Sequence, residues 1–436
     1  MNKKINALLA ITIVSTLLSG CCVNRDNIGG NNPNAYRGSD SERIEAALNY
    51  AVKNNMPLEV TARKGDCSSE RNYWLIDRAI ELPENMEMQI VDCKIKLSDR
   101  CRDNIIRSAN CVRGTEPIKK IRNIRIRGIG NAVLEGAAKP RSTGDSGKQL
   151  GVRTFGSDAG KENESQFGDW RNIGILLVDV SDFEISNIKV YDSHCWAISL
   201  EYCTKGKVKD VEFRSLGVML IDRKPQLVLN QDGLDLRRGC QYIDIENIYG
   251  WTGDDLIALT AIGVSKENPE AGRLKSTMFS APLKRSSEDD LHHINIRNVR
   301  GFSAGNHHIV RLLNNRNVKM HDVVIDGVGD CSPPKSINKA AVKIGDKNYG
   351  GYAPIGDTYN ITVRNVSTAS ECGVLIQGSL AESVIENIKQ ICPQRPAMTI
   401  VSGMEYLRNV KLPENLKQPN PDKLIFFAKT LCDKER

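Results

Sequence analysis

One short phrase recurs along this chain and constrains its fold more than any other feature. It reads apolar-x-apolar-x-Asn/Asp-apolar, as in Phe183-Glu-Ile-Ser-Asn187-Ile, Tyr242-Ile-Asp-Ile-Glu-Asn247-Ile and His293-Ile-Asn-Ile-Arg-Asn298-Val. Further copies end at Asp210, Asp322, Asn365, Asn387 and Asn409, and a weaker one runs from Ile124 to Gly128. Alternation with a period of two marks a strand with one buried face. The intervals Asn187 to Asp210, Asn298 to Asp322, Asn365 to Asn387 and Asn387 to Asn409 are 23, 24, 22 and 22 residues. Such a unit is too short for a strand–helix–strand crossover. It fits one coil of three short strands and three turns. The wider intervals of 37, 51 and 43 residues hold polar or Pro-containing insertions, such as 264–290, which belong on the coil surface. The leucine pattern of the other solenoid with a similar period is absent. The expectation is an all-β, right-handed parallel β-helix.

Ahead of the repeat, Ser41 to Asn55 places Ile44, Ala47, Leu48 and Ala51 at helical spacing. A helix there would cap the open end of the solenoid and block edge pairing. The first residues read as an address. Lys3 and Lys4 precede an apolar run from Ile5 to Leu18, then Leu18-Ser19-Gly20-Cys21. The run is short for a membrane span, and the order of charge, apolar run and small residues before Cys is that of an export signal. It resembles the lipobox of bacterial lipoproteins. That resemblance implies cleavage before Cys21, lipidation of its thiol and, with Cys22 rather than Asp following, the outer membrane, facing periplasm or cell surface. The division is then a signal peptide over 1–20, a polar tether over 21–40 and the β-helix over 41–436, expected as a monomer.

The formal charge of +7 is scattered among acids and gives no basic, aromatic-interleaved patch for nucleic acid. Export would permit disulfides among the 13 cysteines, with Cys101 and Cys111 one candidate pair; buried free thiols are the alternative.

A second strand in each coil aligns on two inward apolar positions: Ile198/Leu200, Leu234/Leu236, Ile257/Leu259, Val310/Leu312 and Val342/Ile344. Residues in one register on successive coils stack about 4.8 Å apart. Trp196, Asp232, Asp255 and His308 should therefore form one column, and Asp235, Arg311 and Lys343 another, with Asp254 beside Asp255. Stacked carboxylates resist joint ionisation, so at least one should hold its proton. Folding does not require that arrangement, whereas glycoside hydrolysis needs a protonated acid opposite an ionised base. Asp-rich turns and a calcium site are the competing readings.

Asn230-Gln-Asp232-Gly-Leu-Asp235 resembles the Asn-Thr-Asp-Gly-hydrophobic-Asp motif of the polygalacturonase-like glycoside hydrolases, family 28. Gly253-Asp254-Asp255-Leu-Ile-Ala resembles their Gly-Asp-Asp-x-Ile-Ala, and Ser193-His-Cys-Trp196 looks like their Ser-Pro-x-Trp strand. The resemblance implies an inverting single displacement in which Asp254 is the general acid and Asp232 and Asp255 hold and deprotonate water. It gives His308 the family histidine's role, with His307 competing, since Gly305-Asn-His307-His308 departs from Gly-His-Gly. Arg311-Leu-Leu313 keeps the arginine of Arg-Ile-Lys but not the lysine, which Lys343 could replace. Asn230, Asp235, Arg311, Lys343 and Trp196 would contact substrate; for Trp196 and Trp251, packing beneath loops is the alternative to stacking on sugar. The insertions 264–290 and 331–358 could wall a cleft. The expected partner is an acidic, pectin-like polysaccharide, with neither cofactor nor metal required. A polysaccharide lyase on the same fold and an inactive glycan-binding lipoprotein are the alternatives.

Overall fold

A computed structural model describes residues 29–65, 71–101, 103–111, 118–139, 173–262, 284–349, 351–420 and 422–428. The signal-like segment, Cys21 and residues 263–283 lie outside it. Each coil contributes one long and one short strand. The long ones, among them Val180–Tyr191, Thr204–Arg214, Gln241–Thr252, Leu291–Ser303, Met320–Asp330, Thr358–Thr368 and Leu380–Gln390, pair in parallel in sequence order. The short ones, from Ile80–Leu82 through Ile198–Glu201, Leu234–Arg237, Ile257–Ala261, His308–Asn314 and Ala340–Ile344 to Met398–Ile400, form a second parallel sheet. The chain is a right-handed parallel β-helix, and its core is the stack of inward Ile, Val and Leu between the sheets.

The expected third strand is fused into the long one, which turns two corners without breaking. At the first, Asp182, Lys205, Tyr242, His293, Asp322, Asn360 and Glu382 have φ between 47° and 57°. Five residues on, at the second, Asn187, Asp210, Asn247, Asn298, Asn365 and Asn387 have φ between 50° and 59°, and Gly327 has 86°. Left-handed backbone favours Asn, Asp and Gly, which explains the repeated phrase. A left-handed residue also interrupts the alternation of faces, so each corner turns two adjacent side chains outward. Thus His292 and His293 are both outward between buried Leu291 and Ile294.

This geometry corrects two repeat assignments. Asn298 neighbours Gly327 rather than Asp322, because Arg297 pairs with Asp326 and Val299 with Val328. Asn409 falls beside Glu382 rather than Asn387, because Ala381 pairs with Arg408 and Ser383 with Val410. Asp322 and Asn409 are first-corner residues carrying a second-corner signature, since both corners demand the same backbone.

The capping helix spans Asp40–Lys53, with a reciprocal Ser39–Glu42 capping box at its start. Buried Asp40 pairs with Arg63 at 2.9 Å. The folded body begins earlier than 41: Asn31 Nδ2 donates to Pro57 O at 2.9 Å and Asn34 Nδ2 to Ala62 O at 3.0 Å, so residues 29–39 are packed on the first coil rather than tether. At the far end Ile425–Ala428 lies antiparallel on Met398–Ile400 and closes the stack. Cys101 and Cys111 are both buried, and no disulfide joins them.

Candidate active site

The alignment on inward apolar residues matches the register. Ile198 pairs with Leu234, Leu234 with Ile257, Ile257 with Val310, and Val310 with Val342. Backbone bonds carry the ladder into the preceding turns: Ala197 N donates to Asp232 O (2.9 Å), Gly233 N to Asp255 O (3.0 Å) and Leu256 N to His308 O (3.1 Å). Trp196, Asp232, Asp255 and His308 therefore stand in one column, and Ser199, Asp235, Ala258, Arg311 and Lys343 in the next.

Asp254 and Asp255 are adjacent in sequence and opposite in environment. Asp255 exposes none of its surface. Its Oδ1 accepts from His308 N (3.0 Å) and lies 2.7 Å from His308 Nδ1, and its Oδ2 accepts from Arg311 Nη1 at 3.1 Å. Burial alone would favour the neutral acid, but the facing His308 and Arg311 more than offset it and hold Asp255 well below the usual carboxylate range. Burial lowers the His308 pKa as well. The Asp255 charge and the Nδ1 contact oppose that shift, and the buried Nε2 of His308 has no hydrogen-bond partner among the described residues. Asp254 keeps 21% of its side chain exposed beside the ring of His307, whose Nδ1 is 3.4 Å from its Oδ1. Burial and then the Asp255 charge push Asp254 up to about 8. Each histidine thus serves a different aspartate.

Asp232 is 6% exposed, and burial, then the charges of Asp235, Asp254 and Asp255, raise it well above the ordinary range. Asp235, 1% exposed, is pushed up to about 7 by burial, against the pull of Arg237 at 3.3 Å. Asp235 is closed off from any ligand in this conformation. So is Trp196, which is buried, with the Arg237 guanidinium 3.6 Å above its ring centre. That face holds a cation instead of a sugar. Trp251 is half-buried and stacks on Phe302 with centroids 6.0 Å apart. Asn230 is half-buried, with φ 53°.

Arg311 and Lys343 come together on Asp346, whose Oδ2 lies 3.2 Å from Arg311 Nη2 and 2.7 Å from Lys343 Nζ. The 331–358 segment supplies that carboxylate and also Tyr349, whose ring lies 4.8 Å from the Arg311 guanidinium. No motif pointed to Asp346 or Tyr349. Nor did any point to Gln231, which is fully buried. Its Nε2 donates to Ser193 O (2.6 Å), its Oε1 accepts from Gly217 N (2.8 Å), and its carbonyl accepts from Gly253 N and Asp254 N. It pins three turns behind the carboxylates. Gly253 packs so closely there that a Cβ would stand 2.4 Å from Gly217 Cα. Between Gly217 and Gln231 an antiparallel hairpin, Val218–Ile221 with Lys224–Leu227, projects beside the site.

Asp254, Asp255 and His307 each bring one donor atom within 4.8 Å of the others. A cation there would displace partners of Asp255 and meet the Arg311 guanidinium, so the charge arrangement opposes it. What fold and site define is a parallel β-helix protein with a buried aspartate column, one member held ionised and its neighbour held protonated.

No protein-family model and no curated protein matches the sequence. Among solved structures the chain is similar to the endo-xylogalacturonan hydrolase of Aspergillus tubingensis, at 13% identity over 91% of this chain and 97% of that one, with a TM-score of 0.48. It is also similar to the family 28 exopolygalacturonase of Yersinia enterocolitica, at 12% identity, 88% and 78% coverage and a TM-score of 0.41. The tailspike protein of E. coli bacteriophage HK620 matches at 12% identity, 86% and 61% coverage and a TM-score of 0.41. With each of these scores below 0.5, the fold rests on strand register and the chemistry on the side chains themselves.

Proposed function

We propose that this protein is a glycoside hydrolase that cleaves a polysaccharide by single displacement with inversion, using Asp254 as general acid. The observation that carries the reading is the contrast within one dipeptide: Asp254 partly exposed and pushed up to about 8, Asp255 buried and held ionised. A protonated acid at neutral pH is what a leaving glycosidic oxygen requires. Asp232 is the carboxylate left to serve as base for water, and because burial and the Asp235, Asp254 and Asp255 charges favour its protonated form, only molecules in which it has lost that proton turn over. Asp255, with both oxygens engaged and no exposed surface, acts as a positioning anion that keeps Asp254 protonated. The lyase reading needs a free cationic or basic group beside the sugar, whereas Arg311 and Lys343 are both bound to Asp346. The same pairing bears on the substrate. A sugar carboxylate would have to compete with Asp346 for those cations, so neutral glycans belong beside acidic ones in the test.

The test is incubation of the purified protein with pectic, other acidic and neutral polysaccharides, following reducing ends together with the ultraviolet absorbance of unsaturated uronates. New reducing ends without unsaturated product, lost in Asp254→Asn, support the hydrolase; unsaturated product makes it a lyase. We propose in addition that the chain is exported and lipidated at Cys21, which metabolic labelling with palmitate, abolished in Cys21→Ala, would establish.

A further inference from the structure

Three of the six histidines of the chain, none of them at the aspartate column, meet at the first corner of the long-strand sheet. The corner turns two adjacent side chains outward from each coil, and two successive coils place His292 and His293 over His321 and Asp322. His321 Nδ1 is 2.7 Å from Asp322 Oδ2, His293 Nδ1 is 3.6 Å from the same oxygen, and His292 Nδ1 is 2.7 Å from His293 Nδ1. One donor atom from each of His293, His321 and Asp322 lies within 4.8 Å of the other two. Ligands 2.0–2.1 Å from a tetrahedral centre are roughly 3.4 Å apart, so small side-chain rotations close the set.

The surroundings hold these groups in place. Tyr359 stacks on His321 with centroids 4.7 Å apart and planes 10° apart, and His292 stacks on its other side at 4.7 Å and 15°. Tyr242 packs on His293 at 4.6 Å. Asn360, one coil on, donates Nδ2 to Asp322 Oδ1, which leaves Oδ2 turned to the histidines. Carboxylates oriented by a neighbouring amide and imidazoles fixed by stacking are what first-row metal sites use around their ligands.

We propose that His293, His321 and Asp322, with His292 beside them, form a surface site for a divalent transition ion of the zinc class that staples two consecutive coils. Two or three imidazoles and one carboxylate select zinc, nickel or copper over calcium or magnesium, which prefer oxygen. Binding to the fold alone would raise its stability. This site is independent of the proposed hydrolytic reading.

The test is calorimetric titration of the untagged full-length chain with Zn2+ alone, with melting temperature followed in parallel and Co2+ absorption as a reporter of coordination. One Zn2+ per chain at micromolar affinity, with a rise in melting temperature, is expected. His321→Gln and His293→Asn, the latter keeping a residue suited to left-handed backbone, should each weaken binding at least tenfold and abolish the thermal shift. Asn360→Ala, which touches no ligand nitrogen, should weaken it by a smaller factor. Absence of binding up to millimolar Zn2+, or full affinity in the His293→Asn/His321→Gln double variant, overturns the proposal. So does loss of the ion in Asp254→Asn instead, which would assign it to the aspartate column.

Discussion

Two columns of stacked polar side chains run along this solenoid, and they solve the same geometric problem in opposite ways. At the second corner, amides stack on amides and on carboxylates: Asn298 Nδ2 donates to Asn247 Oδ1 (2.7 Å), Asn247 Nδ2 to Asp210 Oδ1 (2.8 Å) and Asn387 Nδ2 to Asn365 Oδ1 (2.5 Å). An amide carries both donor and acceptor, so a repeated Asn satisfies its own copy one coil away. In the other column Asp232 and Asp255 are acceptors only. Stacking them costs free energy, and the molecule relieves that cost by leaving protons on some and surrounding Asp255 with His308 and Arg311. Repetition that supports the fold uses a self-complementary group; repetition that opposes it marks where the chain does something else.

Breaking the aspartate column should have the largest effect. Asp254→Asn is expected to lower glycan cleavage by about 10²–10⁴-fold with the circular dichroism spectrum unchanged; retained turnover would sink Asp254 as the acid. Arg311→Leu tests whether Asp255 carries charge. It leaves a buried carboxylate with one partner fewer and should cost about 3–5 kcal/mol in denaturant unfolding; a loss below 1 kcal/mol would mean that Asp255 is neutral.

The pH dependence of stability sharpens the comparison at smaller amplitude. Asp235 and Asp254 ionise near 7 and 8 in the fold but near 3.9 in an unfolded chain, so the folded state holds extra protons between those values. Their contribution is complete below about pH 4 and declines as pH rises through about 8. Asp255, shifted downward, contributes in the opposite sense: its share is present above about pH 4 and lost as pH falls further. Melting temperature should therefore fall from pH 6 to pH 9, and fall less in Asp235→Asn. A flat wild-type profile would contradict the protonated carboxyls. The smallest effect belongs to the amide ladder. Asn298→Ala should cost about 1–2 kcal/mol, from the exposed amide's hydrogen bonds with Asn247 and Arg300 and a left-handed backbone that Ala tolerates poorly. Asn298→Gly should recover part of it.

The site column was legible in the sequence because the two inward apolar residues of each short strand fix its register, and register places Asp232, Asp255 and His308 together without further information. The corners were harder. Asp322 and Asn409 carry the same residue types for the same backbone reason as the second-corner asparagines, so composition could not say which corner they occupied. Asp346 was illegible because nothing local distinguishes it; its importance comes from Arg311 and Lys343 arriving on preceding strands. The hairpin beside the site turns at Asp222-Arg223, with φ 49° and 63°, where a glycine or Asn-Gly would have announced it. The histidine corner escaped because ligand spacing is sought within a few residues, and His292 and His321 are 29 apart.

The stack of parallel strands gives the molecule a direction. A helix seals one end and an antiparallel strand the other, and the short strands that carry the site pair in parallel from coil to coil, so the aspartate column runs from Trp196 to His308 in one sense only. A glycan chain is also directional, with a reducing and a non-reducing end. Laid along the column, it would meet a surface that differs with its orientation, so a parallel scaffold can tell the two threadings of a polymer apart where a symmetric groove could not.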